Sequence, residues 1–175
     1  TLAAGTYSGQ RLRLDGRKRL SIDVRAQGDV VMQESTMVLS GRSVAVQGVR
    51  FTGGKGRPVY VMQIHAETAV SLTDIALQSL SAGGAKESGS MGAQQVPGAL
   101  IHARLAQSGR VQVSGVSVDS VRVPNGSVLA IHSSAPSTVE ISRLSVSNPQ
   151  VHSVLHLPGV GQLDINESVI AQPPE

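Results

Sequence analysis

An apolar spacing that recurs along the chain constrains its fold more than any other feature. In Val44–Phe51 the apolar residues stand at relative positions 0, 2, 5 and 7. Positions 0 and 2 lie on one face of a strand, and positions 5 and 7 lie on one face of a second strand. A bend between the two strands would keep both apolar pairs pointing inward. The same spacing returns in Val70–Leu77, Val111–Val118 and Val139–Val146, more weakly in Leu163–Ile170, and Leu20–Ile22 begins a sixth copy that then drifts.

The copies start 24 to 41 residues apart. A unit this small cannot bury its inner face alone, whereas stacked copies can. Helical periodicity is absent, and Asp15-Gly16 and Asn125-Gly126 are too few turn dipeptides for an antiparallel sandwich. The pattern therefore predicts an all-β parallel β-helix of about six to seven coils with three short strands per coil. We expect residues 1–175 to form one domain.

The composition excludes several classes of function. Cys is absent, which rules out disulfides, thiolate nucleophiles and cysteine-based metal sites. The sequence has three Phe, Tyr or Trp residues, namely Tyr7, Phe51 and Tyr60, which is too few for a surface on which bases stack. The net charge is only +3, so a nucleic-acid partner is not expected. Because no apolar run approaches the ~20 residues of a membrane span, no transmembrane segment is predicted.

Segments of variable length follow the second strand of each copy. They occupy residues 52–58, 119–126 and 147–150, and a long polar, Gly-rich insertion occupies residues 81–98. We expect them at one edge of the rod, where the loops of a repeat scaffold often form the binding side. The alternative for the 81–98 insertion is a segment without a role.

A third strand is predicted after each variable segment, and a histidine follows an apolar residue in each. The predicted strands are Val59–Ile64, Ala99–Ile101, Ser127–Ile131 and Val154–Leu155. Alternation would point the apolar residue inward and the histidine outward. His65, His102, His132 and His156 are therefore expected to stack in a single ladder, ~4.8 Å apart.

Such a ladder suits an acidic, extended ligand. Imidazoles can donate hydrogen bonds to carboxylates, and His102 or His132 could act as a general base. Arg104 should point the same way as His102 and can neutralise a carboxylate. His65 and His156, together with Lys55, Arg57 and Lys86 in the adjacent loops, are the expected substrate-binding residues.

Two other interpretations of the histidines stay open. Equivalent positions of a solenoid meet equivalent environments, so the ladder can be ordinary stacking without a ligand. Two stacked histidines can also share a metal ion. Only Glu67 stands nearby as a carboxylate ligand, and no metal site is predicted.

Two segments resemble known β-helix proteins. Ala4–Gly9 is similar to the opening of secreted right-handed β-helix proteins, and Leu39–Phe51, continued by Val70–Leu80, resembles the family-six polysaccharide lyases, the alginate lyase and chondroitinase B group. This resemblance implies a right-handed β-helix, secreted or periplasmic, that acts on an acidic polysaccharide beside the third strand. The family's catalytic Lys and Arg segments have no match here, so no catalytic residue is carried over. Calcium is the one cofactor that the resemblance implies.

The leading hypothesis is a protein that binds an acidic polysaccharide such as alginate. If it cleaves by β-elimination, His102 or His132 would be the base and Arg104 the neutralising cation. The alternative is a non-catalytic structural or adhesive module of the surface, passenger or phage-spike type, for which an oligomer is expected. A third hypothesis, an anion-binding or metal-binding periplasmic protein, depends on the same histidines. No signal peptide is visible, so the location follows from the resemblance alone.

Overall fold

The computed structural model describes residues 1–53, 60–81 and 98–171, and this part is built from strands without a helix. No helix in the described ranges could cross a membrane. The strands are β1 (Leu2–Ser8), β2 (Arg11–Asp15), β3 (Ile22–Gln33), β4 (Thr36–Thr52), β5 (Met62–Thr73), β6 (Ala76–Gln78), β7 (Gly98–Leu105), β8 (Arg110–Ser114), β9 (Ser117–Asp119), β10 (Arg122–Ser133), β11 (Ser137–Ser142), β12 (Ser145–Ser147), β13 (Gln150–His156), β14 (Val160–Asn166) and β15 (Val169–Ala171).

The strands pair in parallel between successive coils and form a solenoid of about six turns with three faces. The first face contains β2, the starts of β4 and β5, then β7, β10 and β13. The second face follows the bend and contains the start of β3, the middle of β4, the end of β5, then β8, β11 and β14. The third contains β1, the ends of β3 and β4, then β6, β9, β12 and β15. The predicted all-β parallel β-helix with three strands per coil is confirmed.

The recurring apolar positions form the core. In the four clear copies, every residue at positions 0, 2, 5 and 7 is at most 4% exposed. The weaker copy differs: Leu163 and Ile165 are 42% and 48% exposed, because they belong to β14 of the last described coil, which pairs with β11 alone among the described strands. Coil-on-coil contact, not the spacing alone, is therefore what buries the pattern.

The copy nearest the N-terminus, predicted to start at Leu20, begins two residues later. Ile22 aligns with Val44, whereas Leu20 lies outside the ladder and is 65% exposed. The register then shifts between Arg25 and Val30, where extra residues bulge from the second face. This bulge separates the two apolar pairs and hides the spacing from a sequence search.

A left-handed backbone residue makes the bend at position 4 of the copies. The residues concerned are Gly48, Asp74, Gly115, Arg143 and Glu167, with φ between 50° and 78°. This conformation turns the chain between the second and third faces, which is why the spacing is 0, 2, 5, 7 and not a simple alternation. The side chains of Asp74 and Arg143 are exposed, so this position tolerates a long side chain. Its constraint is the left-handed backbone conformation, which glycine adopts most easily.

The first-face strands, which the sequence analysis placed third in each coil, differ from their predicted bounds. The strand predicted over Val59–Ile64 begins later, at Met62 in β5, whereas β7, β10 and β13 are longer than predicted. Met62 and Ile64 are both fully buried in β5, and β7 and β10 extend past their histidines. The variable segments lie at the corner between the third and first faces, as expected for the described part: β9 ends at Asp119 and β12 at Ser147, just before first-face strands begin. Residues 54–59 and 82–97, which include Lys55, Arg57, Lys86 and most of the 81–98 insertion, lie outside the described residues.

Substitution at the bend should reveal its conformational demand. Gly48 has φ of 78°, and an added Cβ would meet only the Ala26 Cβ, at 3.2 Å. We expect Gly48→Ala to lower the free energy of unfolding by about 1 kcal/mol, since Ala resists this φ. Gly48→Asn should cost less, because Asn adopts the left-handed region more readily. Urea unfolding of both variants is the measurement, and equal losses would contradict a conformational cause.

Candidate functional site

The four histidines of the first face do not form the single ladder that the sequence predicted. His65 aligns with Arg104, and Arg104 aligns with His132. His102 stands in the neighbouring outward column, which His156 shares with Ala130. The histidines therefore occupy two adjacent columns, two residues apart along the strands. The expectation of one stack was wrong.

The reason lies in the two inward positions of each first-face strand. Ile64 and Ile131 occupy the second inward position, whereas Ile101 occupies the first. A histidine that follows an apolar residue can therefore fall in either outward column. Because side chains alternate with period two, both registers keep the histidine outward, and the short dipeptide cannot distinguish them.

Three of the histidines contact one another in a zigzag, and we refer to His102, His132 and His156 as the histidine cluster. The ring centroids of His102 and His132 are 5.2 Å apart, and those of His132 and His156 are 5.9 Å apart, both edge-to-face. Ala130 stands between His102 and His156 in their column and is fully buried although it points outward. Its small side chain leaves room for the rings to close over it.

The surroundings of His102 and His132 disfavour their charged forms. Burial, and after it the neighbouring His132, His65, Arg104 and His156, lower the pKa of His102 to about 4. The pKa of His132 is lowered by burial, then by His156 and Arg104. Burial and Arg104 likewise lower the pKa of His65. Desolvation and nearby positive charge both disfavour the imidazolium.

Two ring nitrogens of the cluster have no hydrogen-bond partner within the described part of the protein. The Nε2 atoms of His102 and His132 are both buried and unpaired, whereas the Nε2 of His65 lies 3.0 Å from the Nε2 of Gln63. Buried polar atoms are ordinarily paired, and each exception calls for a physical explanation. Because both atoms are buried, the rings would have to turn outward before a bound group supplied the missing partners.

A groove continues the first face beyond His65, towards the first coil. It has a volume of about 290 Å³, and its polar lining is Arg11, Arg13, Asp15, Ser40, Gln63 and His65. Arg13 shares the outward column of Gln63, and Asp15 shares that of His65. The groove and the histidine cluster are therefore parts of one surface that crosses the coils. Arg104, exposed on β7, lies between them.

Arg11 and Arg13 were missed in the sequence analysis. The signal was present in the alternation of Arg and Leu from Arg11 to Leu14, which places both arginines on one face of a strand. The segment has no histidine, and a search centred on the histidines passes over it.

The described residues contain no cluster of three or more histidine, aspartate or glutamate side chains arranged to hold a metal ion. Glu67, the one nearby carboxylate considered for such a role, instead approaches Lys18, with the Nζ and Oε1 atoms 3.7 Å apart. The arrangement of the first face suits an anion better than a cation.

No protein family, no curated protein and no solved structure matches this chain. The parallel β-solenoid is therefore confirmed, but no match links the chain to the family-six lyases, and the fold does not specify a function.

Removing the positive charge of Arg104 should raise the pKa values of His65, His102 and His132. We expect this in Arg104→Gln because the guanidinium disfavours all three imidazolium forms. Histidine ring NMR signals followed against pH would measure the shifts. The exposed His152 serves as the internal control. Unchanged values for all three histidines would show that Arg104 exerts no electrostatic influence on them.

Acid should destabilise the fold through His102. Its folded pKa, about 4, lies below the usual 6.5, so only the unfolded chain takes up this proton between those values. Stability is therefore full above pH 6.5 and is lost as pH falls towards 4. For a half-buried group we expect a loss of about 2 kcal/mol after allowance for solvent screening.

The matched variant is His102→Gln, because Gln63 already occupies the same column on the adjacent strand. Urea unfolding at pH 7 and at about pH 4.5 should show that the variant loses less stability than the unsubstituted protein. An identical loss in both proteins would remove His102 as the cause.

Proposed function

We propose that this protein binds an extended acidic polysaccharide, such as alginate, across the coils of its first face. The observation that carries the proposal is the continuous cationic and imidazole surface from Arg11 and Arg13, through His65 and Arg104, to the histidine cluster. Following the family-six resemblance, we further propose a secreted or periplasmic location.

The charge of this surface favours an anionic ligand. Its arginines are permanently charged and can bind carboxylates through paired hydrogen bonds. Asp15 is the one carboxylate in the groove. The imidazoles offer N–H donors even when neutral. A ligand with repeated carboxylates would therefore meet a donor or a cation on most strands that it crosses.

The dimensions of the face favour a chain over a single sugar. Six strands contribute to it, and at ~4.8 Å per strand they span about 24 Å along the rod. The groove lies at one end of this span and the histidine cluster lies at the other. A linear polymer running along the rod axis would contact both.

A catalytic form of the proposal is cleavage by β-elimination. The base would remove the proton from the carbon that bears the uronate carboxylate, and Arg104 would stabilise the charge that develops on that carboxylate. A C=C bond would form to the neighbouring carbon as its bond to the glycosidic oxygen breaks, and the protonated imidazole or water would give that oxygen a proton. His102 and His132 are the proposed bases, since both are neutral at pH 7 and able to accept a proton. A general base becomes less effective as its pKa falls, and the pKa of His102 is only about 4. His132 is therefore the favoured base of the two.

The decisive assay combines binding with product detection. Alginate, pectate and chondroitin sulfate would be incubated with the protein, with and without calcium, while ultraviolet absorbance reports unsaturated uronate and calorimetry reports binding. We expect Arg13→Gln and Arg104→Gln each to weaken binding by about tenfold, as the loss of a charge-assisted contact does.

Arg50→Gln is the matched control, because Arg50 is an exposed arginine on the third face, away from the proposed surface. Equal weakening in the control would mean that net charge and not the first face attracts the polymer. Binding without an absorbance change would leave a non-catalytic binder. A lack of binding to all three polymers would reject the proposal.

A second candidate function is a non-catalytic structural or adhesive rod. The observation in its favour is the regular stacking of about six parallel coils, because a rod of this kind can act through its shape. Light scattering that detects an oligomer would support this function, whereas a monomer at all concentrations would argue against it.

A further inference from the structure

We propose that the histidine cluster takes up protons from solvent when an anionic polymer occupies the first face, so that binding tightens as pH falls. This inference rests on the proposed function and adds its regulation. It concerns His102, His132 and His156, of which His132 contacts the other two.

Two unpaired ring nitrogens give the cluster unused capacity for hydrogen bonds. The Nε2 atoms of His102 and His132 are buried and have no partner among the described residues. A neutral imidazole has one N–H donor and one acceptor nitrogen, whereas a protonated imidazole donates from both nitrogens. Carboxylate and sulfate oxygens accept hydrogen bonds. An anion over the cluster would therefore pair best with rings that have turned these nitrogens outward and carry both protons.

The strands packed around the cluster present positive or ionisable side chains to it. β5 contributes His65 and the neutral Gln63, and β7 contributes Arg104. β10 and β13 contribute only the members of the cluster to this contact, while His152 of β13 is exposed. Asp15 on β2 is the carboxylate of the adjoining groove, beyond His65. Within the described first face, the cluster thus has cationic or ionisable neighbours and no adjacent counter-charge.

A bound anion would act as the missing counter-charge and raise the pKa of the histidines in the cluster. Without ligand, burial and positive neighbours hold the pKa of His102 at about 4. Negative groups of a bound polymer offset the positive neighbours and supply a counter-charge that favours the imidazolium. The bound protein then holds more protons than the free protein over the pH range between its two pKa values. Each proton taken up makes binding about tenfold tighter per unit fall in pH.

The pKa values of the free and the bound protein set the pH range over which the affinity changes. Above the bound-state pKa neither state is protonated, and the affinity stops changing with pH. Below about pH 4 free His102 is protonated as well, so the gain is complete. The affinity should therefore increase as pH falls from neutrality towards 4. A fixed-charge site made only of arginines would show no such dependence in this range.

The test is isothermal titration calorimetry with two probes, an alginate oligosaccharide and dextran sulfate, between about pH 5 and pH 7.5. Each titration is run in two buffers of different ionisation enthalpy, because the difference in observed heat gives the number of protons taken up. We expect net uptake with both probes and, for each proton, about tenfold tighter binding per unit fall in pH. The sulfate groups stay ionised throughout, which excludes titration of the ligand as the source.

Matched substitutions assign the protons to the cluster. His102→Gln combined with His132→Gln should reduce the proton uptake and flatten the pH dependence. His152→Gln should leave both unchanged, because His152 is exposed and is not one of the rings in contact. Arg13→Gln should weaken binding by a similar factor at every pH, since its charge does not titrate.

The possible outcomes separate this inference from the proposed function. Tight binding without proton uptake would overturn the inference and leave the proposed function standing. Undiminished uptake in the double variant would overturn the assignment to the cluster. A complete lack of binding between pH 5 and pH 7.5 with both probes would overturn both proposals.

Discussion

The parallel stacking of one coil on the next is the interaction on which the rest of this structure depends. An inner side chain such as Val46 meets its counterparts Val24 and Leu72 in the coils before and after it. Burial therefore depends on the neighbouring coils. Leu72, in the interior of the rod, is 1% exposed, whereas Ile165, in the last described coil, is 48% exposed. The left-handed bend residues keep the coils equal in shape, so that the stacking can repeat.

The same stacking determines the chemistry of the outer surface. Parallel pairing places Arg104 between His65 and His132 on adjacent strands, about 4.8 Å from each backbone. Positive or potentially positive groups are thereby brought together without a carboxylate among them. Burial, and after it the neighbouring positive groups, lower the pKa of His102 to about 4, which keeps this imidazole neutral at pH 7. An anionic ligand would offset the positive neighbours, and both proposals follow from this balance.

The fold was accessible from the sequence, and the site was accessible only in part. Four clear copies of the apolar spacing sufficed, because each core position obeys the strand period. The first copy was misplaced by two residues because a bulge between Arg25 and Val30 interrupts that period. The histidines were correctly expected on one face, but their columns were wrong, since an apolar residue followed by histidine fits either of two registers. Arg11 and Arg13 carry a clear alternation that was overlooked.

The sequence by itself determined the parallel solenoid, the inward residues and the outward direction of the histidines, because these depend on local periodicity. Only the tertiary structure decided which residues become neighbours between coils. It separated His65 from His102 by one column, brought His102 into contact with His132, and joined the arginine groove to the histidine cluster. These relations depend on pairing between residues about 25 to 40 positions apart. Insertions and bulges between coils alter that pairing without changing the local pattern.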